Sequence, residues 1–66
     1  MALHQKIAYY REKAGMSQRE LADRAGVSYG AIGQYETNRK TPRLETLRRL
    51  AEALHVSIYW LLGLEE

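Results

Sequence analysis

Residues 17–36 read SQRELADRAGVSYGAIGQYE, and the fold turns on how this stretch divides. Ser17-Gln18-Arg19-Glu20 has the form of a capping box, in which the serine hydroxyl closes the first turn of a helix and Glu20 reaches back to the serine N–H. Leu21, Ala22 and Ala25 follow as the apolar side of that helix, and Gly26 supplies the left-handed residue that ends it. Ser28 then offers a second N-cap. The helix it opens is short, because Thr37-Asn38-Arg39-Lys40-Thr41-Pro42 is polar, rich in turn formers and closed by the only proline.

That short helix carries Gly30 and Gly33, each about 1 kcal/mol less favourable than alanine. At roughly 100° per residue, Tyr29, Gly30, Gly33, Gln34 and Thr37 fall within one arc, with Ser28, Ala31, Ile32 and Tyr35 on the other side. Both glycines are therefore expected to face outward, where they gain nothing from packing. Drift on an unconstrained surface is one explanation; close approach of another molecule to the helix backbone is the other. Tyr29 and Gln34 favour the second, because the first can stack or touch a methyl group and the second has the paired donor and acceptor that suit an adenine edge. Two helices joined across a tight Gly26 turn, the second with such a face, have the form of a helix-turn-helix, and the groove of double-stranded DNA is the surface they fit.

With 66 residues the chain has room for one domain, spanning 1–66, with little stability to spare and no elaborate enclosed active site. The lack of cysteine excludes a disulfide framework and a thiolate metal site. No apolar run approaches a membrane span or a signal peptide, so a cytoplasmic protein without a membrane partner is expected. The formal net charge of +2 says little about partners. Distribution says more: between Thr37 and Arg49, Arg39, Lys40, Arg43, Arg48 and Arg49 stand against Glu45 alone. Such a cluster either meets an anion or forms a solvated face.

The rest of the chain also reads as helix. Leu3, Ile7, Tyr10 and Ala14 form a stripe ending at Gly15, and Leu44, Leu47, Leu50, Ala51 and Leu54 form another. Ser57 can cap a last helix running through Tyr59, Trp60, Leu61 and Leu62 to Gly63. Strand-like alternation, repeats and linkers are missing, which predicts an all-α domain of five helices.

In order and spacing, Ser17-Gln18-Arg19-Glu20-Leu21-Ala22, Ala25-Gly26-Val27-Ser28, Ile32, Tyr35-Glu36, Pro42, Leu44, Leu47, Ala51, Leu54, Val56 and Trp60-Leu61-Leu62 resemble the Cro/C1-type helix-turn-helix family, also called XRE or lambda-repressor-like. The resemblance covers almost the whole chain. It implies a repressor head whose third helix lies in the major groove, with Ser28, Tyr29, Gly30, Gly33 and Gln34 at the base-reading face. Ser17 and Gln18 then lie against a phosphate, helped by the positive end of their helix. Thr37, Asn38, Arg39 and Lys40 match the loop that touches phosphates after the recognition helix, and Arg43 either reaches the same backbone or is a surface residue. Asn38 departs from the usual glycine, and His55 stands where the family often has one, so both are expected in an unusual backbone conformation. Arg11 and Glu36 match a structural ion pair. The family also implies a homodimer on a palindromic operator, with Ile58, Tyr59, Leu62 and Leu64 as its expected interface.

Several features have plainer readings. His4 and His55 lack metal-ligand spacing, the serines fit helix caps, and no nucleophile turn is present, so neither enzyme activity, metal, cofactor nor small-molecule ligand is expected. Arg48 and Arg49 read as surface charge, and the Trp60 region as core. The same fold serves restriction-modification controller proteins and antitoxins, and a protein-interaction module with an acidic partner is the reading from another class.

Overall fold

The computed structural model describes residues 1–64, in the order α1 (Leu3–Lys13), α2 (Gln18–Ala25), α3 (Tyr29–Glu36), α4 (Leu44–Leu54) and α5 (Ile58–Leu61), with no strand among them. α2 opens on the capping box: Ser17 Oγ accepts from Glu20 N–H at 3.0 Å, and Glu20 Oε1 accepts from Ser17 N–H at 3.1 Å. Ser28 and Ser57 cap α3 and α5 in the same sense. α2 packs on α3 and α4, α1 crosses α3, α4 and α5, and α5 closes on α4 and α1.

All five helices end alike. The residue after each C-terminal turn takes φ between 57° and 77°, and the next N–H donates back to a carbonyl five residues earlier: Met16 to Arg11, Val27 to Ala22, Arg39 to Gln34, Val56 to Ala51 and Leu64 to Tyr59. Gly15, Gly26 and Gly63 occupy three of these left-handed positions, and Asn38 and His55 the other two. The expected unusual conformation is thus present at both. In this way every connection reverses the chain within a few residues, which keeps short helices antiparallel or crossed around one centre.

The core contains Ile7, Met16, Leu21, Ala22, Ala25, Ile32, Leu50 and Leu54, extended by Leu47, Ala51 and Leu61, with Leu3 and Val56 packed against both parts. Two members of the expected stripes lie outside it. Ala14 is exposed because it is the C-cap of α1, after which the chain turns away and buries Met16 instead. Leu44 is 67% exposed because it is the first residue of α4 and helical side chains lean toward the N-terminus, here past the edge of the core. Lys6, which no periodicity marks, is buried: its ammonium donates to the Trp60 carbonyl at 2.7 Å and lies 4.4 Å from the centre of the Trp60 ring.

The left-handed conformation costs a non-glycine residue about 1–2 kcal/mol, and glycine returns part of that as lost chain entropy. His55→Gly is therefore expected to stabilise the fold by about 0.5–1 kcal/mol. Urea unfolding of the two proteins checks this, and an unchanged or lowered midpoint would show that His55 makes a compensating contact.

Candidate nucleic-acid interface

A buried ion pair holds the face together. Arg11 donates through Nε to Glu36 Oε2 at 2.6 Å and through Nη2 to Glu36 Oε1 at 3.1 Å, a bidentate fork between α1 and the end of α3. Its remaining edge donates to the Met16 carbonyl at 2.8 Å, in the turn before α2. Gln18 completes the cluster by donating Nε2–H to Glu36 Oε1 at 3.0 Å. The two charged side chains retain only 12% and 7% exposure. The Glu36 hydrogen bond raises the Arg11 pKa above its ordinary value, against the opposing effect of burial, so the guanidinium is ionised at every relevant pH.

α3 rests on this base. Its inner side buries Ile32 and half-buries Ala31 and Tyr35, while Tyr29, Gly30 and Gln34 are exposed and Gly33 is half-exposed. A methyl group added at Gly30 or Gly33 would meet nothing within 4 Å, and neither residue has positive φ. Folding therefore gives no reason for either glycine: the strip between Tyr29 and Gln34 is bare and open. Ser28 Oγ accepts from Ala31 N–H at 3.3 Å as the cap, which leaves its hydroxyl proton pointing to no acceptor among the described residues. The Arg19 guanidinium sits 4.6 Å from the centre of the Tyr29 ring, bringing α2 onto this face at a position that helical periodicity does not reveal.

The turn after α3 borders the strip. Asn38 at φ 61° makes the reversal, and the Arg39 and Lys40 N–H groups both converge on the Gln34 carbonyl, at 2.9 and 3.2 Å. Thr37 Oγ1 donates to the Gly33 carbonyl at 2.8 Å, so its proton is already used within the turn. The basic cluster of the sequence divides in two. Glu45 pairs with Arg48 at 2.6 Å and Arg49 at 3.4 Å, and Arg48 also meets Glu52 at 3.3 Å, a self-neutralised lattice along α4. The hydrogen bond from Arg48 lowers the Glu45 pKa, keeping that lattice ionised. Arg39, Lys40 and Arg43 are exposed and have no acidic partner among the described residues.

A second surface is apolar. Ile58 is half-buried, Tyr59, Leu62 and Leu64 are exposed at 59%, 42% and 74%, and Leu44 joins Ile58, Tyr59 and Leu62 in lining a shallow groove bordered by Glu45 and Arg48.

Residues 7–61 match the family model described as helix-turn-helix. The chain belongs to the Cro/C1-type helix-turn-helix family. Over 66 residues this helix-turn-helix chain is 32% identical to the transcriptional regulator ImmR of Bacillus subtilis, covering all of this chain and 52% of the relative. It spans about half the length of the curated relatives it matches. Among solved structures, the P22 c2 repressor in complex with a synthetic operator is similar with a TM-score of 0.91 at 32% identity, over 98% of both chains. SinR, a master regulator for biofilm formation, in complex with DNA gives 0.87 at 36% identity, over 91% of this chain and 97% of that one. The lambda-repressor-like, all-helical architecture is thereby shared along nearly the entire helix-turn-helix chain.

Removing one partner of a buried charge pair strands the other, at a cost of about 3–5 kcal/mol. Glu36→Ala and Arg11→Ala are each expected to approach that loss in chemical denaturation, and Arg11→Met/Glu36→Leu to cost less than either. If the single variants lose under 1 kcal/mol, the cluster does not hold α1 to α3.

Proposed function

We propose that the protein is a sequence-specific DNA-binding transcriptional regulator that binds a palindromic operator as a homodimer and represses by occluding polymerase. The observation that carries this reading is the bare strip of α3. Two helix-destabilising glycines stand on an open face, without an intramolecular reason, between a ring and an amide and beside three unneutralised cations. The complexes of the P22 c2 repressor with a synthetic operator and of SinR with DNA, both similar over nearly their whole length, support the same assignment.

In the proposed complex α3 enters the major groove, and its glycines let the helix axis approach the base edges. Gln34 donates to and accepts from one base, Tyr29 contacts a neighbouring one, and the free Ser28 proton reaches a third or a phosphate. Gln18 gives its second amide proton to a phosphate, alongside the first-turn N–H groups of α2 that Ser17 does not cap. Arg39, Lys40 and Arg43 grip the backbone on the other side of the groove, while Thr37 and Asn38 shape the turn that presents them. None of these steps breaks a covalent bond, and the chain acts by occupancy.

Two copies are needed because a single short helix reads only a few base pairs. Palindromic half-sites lie roughly 34 Å apart, one duplex turn, and the protein's longest dimension is 28 Å. Neighbouring copies on one side of the duplex therefore touch through a limited area. Ile58, Tyr59, Leu62 and Leu64, with Leu44, offer the apolar contact. An interface this small makes a weak dimer that DNA consolidates.

Selection of tight binders from random duplexes at physiological salt tests the reading: a two-fold symmetric consensus is expected, and failure to retain any duplex would overturn it in favour of a protein-interaction role. On the selected operator, Gln34→Ala should cost about 1–3 kcal/mol and relax one position of each half-site, whereas Lys40→Ala should weaken all sequences alike and lower the salt slope by about 1. Gly30→Ala and Gly33→Ala separate stability from function. Each should raise thermal stability by up to about 1 kcal/mol while weakening operator binding; unchanged affinity in both would show that DNA does not approach this strip.

A further inference from the structure

We propose that Arg19 is a specificity-determining positioning residue, whose guanidinium lies over Tyr29 and holds that ring at the entrance of α3 so that the ring reads one base pair. The inference rests on the reading of α3 as the DNA-reading helix and assigns a role to a residue of the other helix of the motif.

The need for such a support follows from the glycines. A ring on a helix surface is usually buttressed by side chains three and four positions along. For Tyr29 those positions are Ile32, which is buried inward, and Gly33, which has no side chain; the adjacent Gly30 has none either. Tyr29 is 50% exposed, and no hydrogen bond fixes its hydroxyl among the described residues. Left alone it would sample several rotamers, and ordering it on binding would cost affinity and blur selection. Arg19 supplies the missing wall from α2, 4.6 Å from the ring centre.

Arg19 is also free for the task. It is exposed, and no carboxylate pairs with it among the described residues, in contrast to Arg11, Arg48 and Arg49. Its guanidinium N–H groups have no acceptor among the described residues and are available to a phosphate. Lysine has the charge but no planar group. The part of the duplex read this way is apolar: a ring held against the groove floor selects a thymine methyl over a bare base edge.

The duplex selection, run on the intact chain for the parent protein and for Arg19→Ala, Arg19→Lys, Tyr29→Ala and Tyr29→Phe, tests the inference. Thermal unfolding confirms that each variant is folded. Arg19→Ala and Tyr29→Ala are expected to lose preference at the same base pair, by about tenfold, and the double variant to lose no more. Arg19→Lys should recover overall affinity at low salt without recovering that preference, and Tyr29→Phe should retain it. Uniform weakening by Arg19→Ala that lysine fully repairs would overturn the inference, leaving a phosphate contact, as would a Tyr29→Ala consensus identical to the parent's. In both of those cases the parent's own consensus still stands, so the DNA-binding reading survives. A parent protein that selects no consensus overturns both.

Discussion

The fork of Arg11 on Glu36 is the constraint from which the rest of this small structure follows. Hydrophobic burial brings α1, α2 and α3 together but has no direction, and the apolar core cannot by itself set the angle at which α3 stands out. Two hydrogen bonds in one plane can. The same guanidinium holds the Met16 carbonyl and the same carboxylate holds the Gln18 amide, so one position in each of α1, α2 and α3 and one in the turn before α2 are referred to one another through a single cluster. A duplex meeting Gln18 and α3 at once would encounter groups whose spacing is set before contact.

Around that cluster the molecule separates its tasks. Charges not meant for a partner neutralise one another along α4, and those beside α3 stay unpaired. Four of the exposed apolar residues, Leu44, Tyr59, Leu62 and Leu64, lie in or just after α5 and at the start of α4. Stability is given up at only a few places: two glycines within α3 and two non-glycine residues in the left-handed region.

Much of this could be read from residue order, because the decisive signals are local. Capping serines, terminal glycines and apolar periodicity act within a turn or two, and they place all five helices and the outward aspect of Gly30 and Gly33. Asn38 and His55 stand out by a different route, through the resemblance to a family that often has glycine at those positions. What remained hidden involves pairs distant in sequence. Nothing near Lys6 announces its burial against Trp60, 54 positions away. Gln18 shows no local sign of its bond to Glu36, nor Arg19 of its position over the Tyr29 ring. Arg48 and Arg49 are surface charges, as residue order suggests, but their neutralisation by Glu45 and Glu52 shows only in the folded chain. Leu44 fits the apolar stripe yet lies outside the core, because periodicity describes an endless helix and ignores that its first turn overhangs the core.

The seam between α1 and α5 has a further consequence. Trp60 is the sole tryptophan, with the Lys6 ammonium over its ring, the Tyr10 ring edge-on at 6.4 Å, and its indole nitrogen buried without an acceptor among the described residues. Its fluorescence is therefore sensitive to how α5 sits on α1, through the local electric field and exposure to water, and not directly to events along α3. The chain thus carries an intrinsic optical probe in the helix that lines the apolar groove, spectrally separate from Tyr29 on the exposed side of α3.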